Sequence, residues 1–153
     1  MANDPKHFYV KLFSNASQSL FPENTKSSFT IELAQPIDLG PNNKWEVGLC
    51  EFTYSPKFRG TVSPIMIIEH TNALIYCNLI RPQFVGKEFI RFLKTTIVPS
   101  LRGEHYFQHI YYVPVEKRYI RNIRMEVRDS AFNFKTDKVP LKFVLHFRRI
   151  PTW

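Results

Sequence analysis

The chain has 153 residues, with 21 Lys and Arg against 13 Asp and Glu and a formal net charge of +8. That length suits one domain, spanning 1–153, with a real core; no run approaches the roughly 18 apolar residues of a membrane span, so none is expected. With 14 Phe, 7 Tyr and 11 Pro but only 5 Gly, the composition favours sheet over helix and turns led by Pro.

In chain order, strands are expected at 7–13 (HFYVKLF), 28–34 (SFTIELA) and 44–54 (KWEVGLCEFTY). Further strands follow at 64–69 (PIMIIE), 73–80 (ALIYCNLI) and 90–98 (IRFLKTTIV). The last three lie at 105–113 (HYFQHIYYV), 119–128 (YIRNIRMEVR) and 139–149 (VPLKFVLHFRR). Each is bounded by Pro, Gly, Asn, Asp or Ser. Many short strands with turn signals between them point to a sandwich or barrel, all-β and antiparallel. Over 84–97, Phe89, Phe92, Leu93 and Thr96 also fit a helical period, so a short helix is the rival there. Residues 14–27 read as a long ordered loop anchored by Leu20 and Phe21, and 34–43 as a second connection.

Faces follow from the side-chain period of two. In the last strand Leu141, Phe143, Leu145 and Phe147 share one side; Lys142, Val144, His146 and Arg148 share the other. In 119–128, Ile123, Met125 and Val127 oppose Asn122, Arg124, Glu126 and Arg128, which predicts one solvated basic face. In 44–54, Trp45, Val47 and Leu49 oppose Glu46, Gly48 and Cys50. That second side is small and weakly polar, so this strand is expected to be central and covered on both sides. Trp45, Phe29, Ile31, Leu49, Phe143 and Leu145 are the expected core.

The chain offers few parts for catalysis. It has no GxSxG elbow, P-loop or GxGxxG. Glu46 and Glu51 fall on opposite faces of one strand by parity, and Glu104 beside His105 has no nucleophile near it. His105 and His109, four apart on a strand, would lie about 13 Å apart, too far for one metal. Cys50 and Cys77 sit in strands and read as free thiols; two cysteines without a CxxC or a His pair do not make a tetrahedral set. Asn15-Ala16-Ser17 fits a glycosylation acceptor, but the opening residues lack the apolar stretch of a secretory leader. The expectation is a non-enzymatic chain without metal or cofactor, kept on the cytosolic side.

The basic excess is concentrated late, in Lys117, Arg118, Arg121, Arg124, Arg128, Lys135, Lys138, Lys142, Arg148 and Arg149. A patch of this kind binds phosphates, meets an acidic protein surface, or stays solvated.

A family resemblance then emerges. The block FYVKLFSNASQSLFPENTKSSFTIELAQPIDLGPNNKWEVGLCEFTYSP is followed by ALIYCNLIRPQFVG, IYYVPV and IRNIRMEVRDSAFNFKTDKVPLKFVLHFRR. In order, and over nearly the whole chain, these segments resemble a protein class carried by Polinton (Maverick) elements and adintoviruses. That class is read as a penton-like minor capsid protein. The resemblance implies a single jelly roll that forms a homo-oligomer, a pentamer, beside a major capsid protein. It implies a place in the virion, with assembly in the host nucleus or cytoplasm, and non-specific contact with packaged nucleic acid. A cement protein is the alternative within the class. Only residues 55–72 stand where longer relatives carry a middle section. On this reading Arg121, Arg124, Arg128, Arg148 and Arg149 form the basic interface or genome-facing surface. Arg148 and Arg149 point to opposite sides of one strand. The rival functions are a nucleic-acid-binding β-barrel and a host-adopted sandwich that binds a ligand.

Overall fold

A computed structural model describes residues 6–25, 28–41, 44–53, 70–85, 87–99, 104–129 and 141–151. Among these residues every regular element is a strand. The strands are β1 (His7–Phe13), β2 (Ser28–Asp38), β3 (Trp45–Thr53), β4 (His70–Cys77), β5 (Gln83–Val85) and β6 (Glu88–Ile90). They continue with β7 (Phe92–Pro99), β8 (Glu104–Tyr106), β9 (Val113–Pro114), β10 (Tyr119–Asp129) and β11 (Lys142–Arg149).

Two antiparallel sheets result. Sheet A runs β1-β11-β3-β8, with β9 also pairing β3; sheet B runs β2-β10-β4-β7; β5 and β6 form a separate hairpin. Apart from the short β5, β6 and β9, the pairings are nested. β1 pairs β11, β2 pairs β10, β3 pairs β8 and β4 pairs β7. The chain is thus one long antiparallel hairpin, closed at β4–β7 and rolled so that successive pairs fall in alternate sheets.

The inner faces meet in one core. Phe29 of β2 and Phe143 of β11 lie 5.7 Å apart between ring centres, and Phe52 of β3 stacks on Phe143 at 4.9 Å. All six expected core residues are buried. Each such phenylalanine contributes on the order of 1.5–3 kcal/mol by leaving water. The antiparallel sandwich read from the period of two is therefore the observed architecture.

Several local readings change. The strand expected over 105–113 is two short pieces, β8 and β9, joined by the irregular segment 107–112. That segment crosses the outside of β3, where a Cβ on Gly48 would lie 2.3 Å from Ile110 Cγ2 and 2.9 Å from the Tyr111 carbonyl oxygen. The covering expected for β3 is supplied this way, and glycine is needed because backbone passes over it. The helical alternative over 84–97 is replaced by β5, β6 and β7. Leu93 is an extra residue in β7, where the register shifts between Ile75 and Tyr76 of β4, and such a bulge breaks the strand period that sequence reading relies on.

β2 runs on to Asp38, through Pro36, where a connection was expected. As the edge of sheet B, β2 tolerates a residue without an N–H. In the loop after β1, Leu20 is not an anchor but is 59% exposed. The loop is pinned instead by two buried serines: Ser14 Oγ accepts the Leu141 N–H at 2.9 Å and Ser17 Oγ accepts the Glu32 N–H at 3.0 Å. The strand expected at 64–69, and Lys135 and Lys138, lie outside the described residues.

Candidate functional site

The five arginines divide between the two sheets. Arg121, Arg124 and Arg128 belong to β10, in sheet B; Arg148 and Arg149 belong to β11, in sheet A. Ile123, Met125 and Val127 point into the core, so Arg124 takes the outer face by alternation. Arg121 joins it through the register shift between Ile120 and Asn122. Arg121 Nε lies 3.1 Å from Glu32 Oε1. Arg124 donates to Thr30 Oγ1 at 3.2 Å and to Ser28 Oγ at 2.7 Å. Two hydroxyls thus fix the direction of this guanidinium without neutralising it. Arg128 pairs opposite Leu74 on the neighbouring strand; its side chain lies outside the described residues.

The sheet A arginines are held more closely. Arg148 Nε bonds Glu46 Oε1 at 2.5 Å, and its guanidinium carbon sits 3.5 Å from the centre of the Tyr112 ring. The Arg149 guanidinium lies 5.6 Å from the Trp45 ring centre. Glu51 and Glu46 share the outer face, contrary to the parity expectation. Val144 pairs Glu51 while Leu145 pairs Leu49, which leaves Cys50 as an extra residue. That bulge resets the alternation and brings Glu51 to Lys142 at 2.9 Å.

The same outer face gathers a hydrogen-bonded aromatic cluster that the sequence did not reveal. Tyr112 Oη lies 2.6 Å from His146 Nδ1, and His146 Nε2 lies 3.1 Å from His7 Nδ1. Tyr9 stacks on the His146 ring at 4.5 Å. With both imidazoles neutral, the tyrosine hydroxyl donates to Nδ1 and the Nε2–H donates onward to His7. Burial, then His7 and Arg148, hold His146 below its ordinary value. Burial pushes the Tyr112 hydroxyl up, against the pull of Arg148. The only sequence signal was that His146 falls on the outer face; that His7 meets it depends on β1 pairing β11.

Neither thiol is poised as a thiolate. Burial pushes the Cys77 thiol up to about 12, and burial with the charge of Glu51 raises Cys50. Both cysteines are free. Among the described residues, no group of three or more His, Cys, Asp or Glu side chains could hold a metal ion, and no helix is long and apolar enough to cross a membrane. His105 and His109 do not share a strand, since β8 ends at Tyr106.

A cleft of about 460 Å3 opens where the loop after β1 meets the outer face of β2 and β10. Leu20, Phe21 and Pro22 line its apolar side; Glu23, Asn24, Thr30 and Arg124 line the rest. Asn24 is locked against β2 by a reciprocal pair: its Nδ2 donates to the Thr30 carbonyl at 2.8 Å and its Oδ1 accepts the Thr30 N–H at 2.9 Å. No family model matches the chain, and no curated protein or solved structure shows significant similarity to it.

Proposed function

We propose that this chain is a jelly-roll capsid subunit, penton-like, that assembles with copies of itself and sits against a major capsid protein in the virion. The observation that carries the reading is the winding. Eight strands in two four-stranded rows, with pairs nested from β1·β11 to β4·β7, fit the double-sheet jelly roll used by viral capsids, and also by lectins and cupins. The order of the family-like segments, kept over nearly the whole chain, favours the capsid member of that set.

In this reading the outer face of β10 is a contact surface: Arg121 turns toward packaged nucleic acid or an acidic neighbour, and Arg124 lies toward the β2 edge. Arg124 is held there by hydroxyls, whereas Arg148 is committed to Glu46 and Tyr112. The test is the absolute mass of the purified chain by light scattering behind a sizing column, at low and high salt. A discrete assembly of about five copies is expected, the number that the family resemblance implies, closed by one repeated contact. A monomer at both salts sinks the self-assembling vertex subunit.

The second reading is a nucleic-acid-binding module, favoured by the same row of β10 arginines. It requires affinity that falls steeply with salt and drops when Arg121 and Arg124 are replaced together. A ligand-binding sandwich requires a stable monomer instead.

A further inference from the structure

The lateral sides of the sandwich are unlike each other. The loop over 14–25 joins β1 to β2, the edge of sheet A to the edge of sheet B. The cleft lies at this side. At the other side, β7 ends sheet B, and residues 79–81 run beside 114–116 next to β9. From this side comes the β5–β6 hairpin, which among the described residues pairs with neither sheet. It carries Phe84, 81% exposed. Lys87 at its turn and Arg81 before it are exposed cations.

A lone two-stranded hairpin is marginal in water. A ring that exposed, with Arg81 and Lys87 outnumbering Glu88 around it, is an apolar knob with a net basic rim. The cleft has the matching chemistry. Leu20, Phe21 and Pro22 offer an apolar wall, the Arg124 guanidinium offers a face for an aromatic ring, and Glu23 offers the charge opposite to Lys87.

The foot of the hairpin and the cleft also lie at one level along the strands. Across sheet B, Phe29 pairs Met125, Met125 pairs Cys77, and the Cys77 N–H donates to the Arg91 carbonyl. Thr30 and Arg124, in the cleft, are one residue from this line, and Arg91 directly follows the hairpin. With the ring axis along the strands, a head-to-tail contact between sites at one level relates copies by rotation with little shift along that axis. That is the condition for a ring to close and not run on as a filament.

We infer that the β5–β6 hairpin of one copy seats Phe84 in the Leu20–Arg124 cleft of the next, and that this contact, repeated, closes the ring. The inference rests on the proposed self-assembly and names the surfaces that perform it.

The test places photoreactive benzoylphenylalanine at position 84 of the full chain, in a mixture of isotopically light and heavy copies. Crosslinks between copies, mapped by mass spectrometry, are expected within residues 20–24. An oligomer whose crosslinks from position 84 land elsewhere, or stay within one copy, overturns this contact and leaves the ring standing. A chain that is monomeric throughout overturns both. In parallel, Phe84→Ala and Leu20→Asp should each raise the subunit dissociation constant about tenfold or more. Both positions are exposed, so circular dichroism should show an unchanged fold. An equal mixture of the two variants keeps one intact knob and one intact cleft and should yield one-to-one pairs. Dissociation constants unchanged in both variants overturn the contact.

Discussion

The outer faces of the two sheets are built from the same alternating strands yet are finished differently. On sheet A, backbone from 107–112 lies over Gly48, and the outward side chains of β11 are engaged: Lys142 with Glu51, His146 with Tyr112 and His7, Arg148 with Glu46. On sheet B, Arg121 and Asn122 stand exposed beside Arg124. The difference teaches that strand pattern decides which residues leave the core. What happens to them afterwards depends on segments that are not strands at all.

The largest way to break this contrast is Gly48→Ala. The new methyl meets Ile110 and the Tyr111 carbonyl, and overpacking of this kind costs about 1–3 kcal/mol, read by urea denaturation. Asn122→Ala, on the open face of sheet B, should stay within about 0.5 kcal/mol. Equal losses would mean that the crossing segment does not close the sheet A face.

Next comes Arg148→Gln, which removes an ion pair and a cation stacked on Tyr112. About 1 kcal/mol is expected from the same measurement. A smaller effect is read as a slope. His146 sits below its ordinary value of 6.5, so the unfolded chain takes up this proton first as pH falls. Stability is full above that value and is lost as pH falls through it toward the folded value. His146→Gln should flatten the dependence of the denaturation midpoint on pH between about pH 7 and pH 5; an unchanged slope would show that the imidazole is not held neutral. The smallest effect is that of Arg121→Gln, whose partner Glu32 it meets with 69% of its own side chain exposed. A few tenths of a kcal/mol is the expectation, and a loss matching that of Arg148 would erase the contrast between the faces.

Much of the sandwich is legible from period alone. β1 falls on its expected bounds, and Trp45, Phe29, Ile31, Leu49, Phe143 and Leu145 are in the core as read. Alternation is a local property of each strand, so it survives ignorance of the partners. The failures lie where one residue is inserted or where contacts are distant. The bulge at Cys50 reverses the face of Glu51, and no pattern of hydrophobicity marks a single inserted residue. The stretch 105–113 alternates well enough to pass for a strand, although its middle packs on Gly48 from outside. The cleft and the His7–His146 contact join residues far apart in sequence, and only the nesting of the strand pairs brings them together. The basic residues were visible as a count, but their division between β10 and β11 required knowing which sheet holds each strand.

The nested winding has a consequence in time. β11 lies between β1 and β3 and is the last of the described strands to be synthesised. When residues up to 129 have emerged, β1 and β3 still have a gap where their shared neighbour belongs, and Phe29 and Phe52 lack Phe143 between them. β3 can already pair β8 and β9, but β1 joins sheet A only in a late step, through a pairing that joins residues as far apart as His7 and Arg148. Pairings this distant make folding slow and leave unfilled strand edges open in the meantime. A nascent chain stalled before β11 should be protease-sensitive and prone to pair with its neighbours on the same messenger. Release of that strand should act as the switch from a sticky ribbon to a closed sandwich.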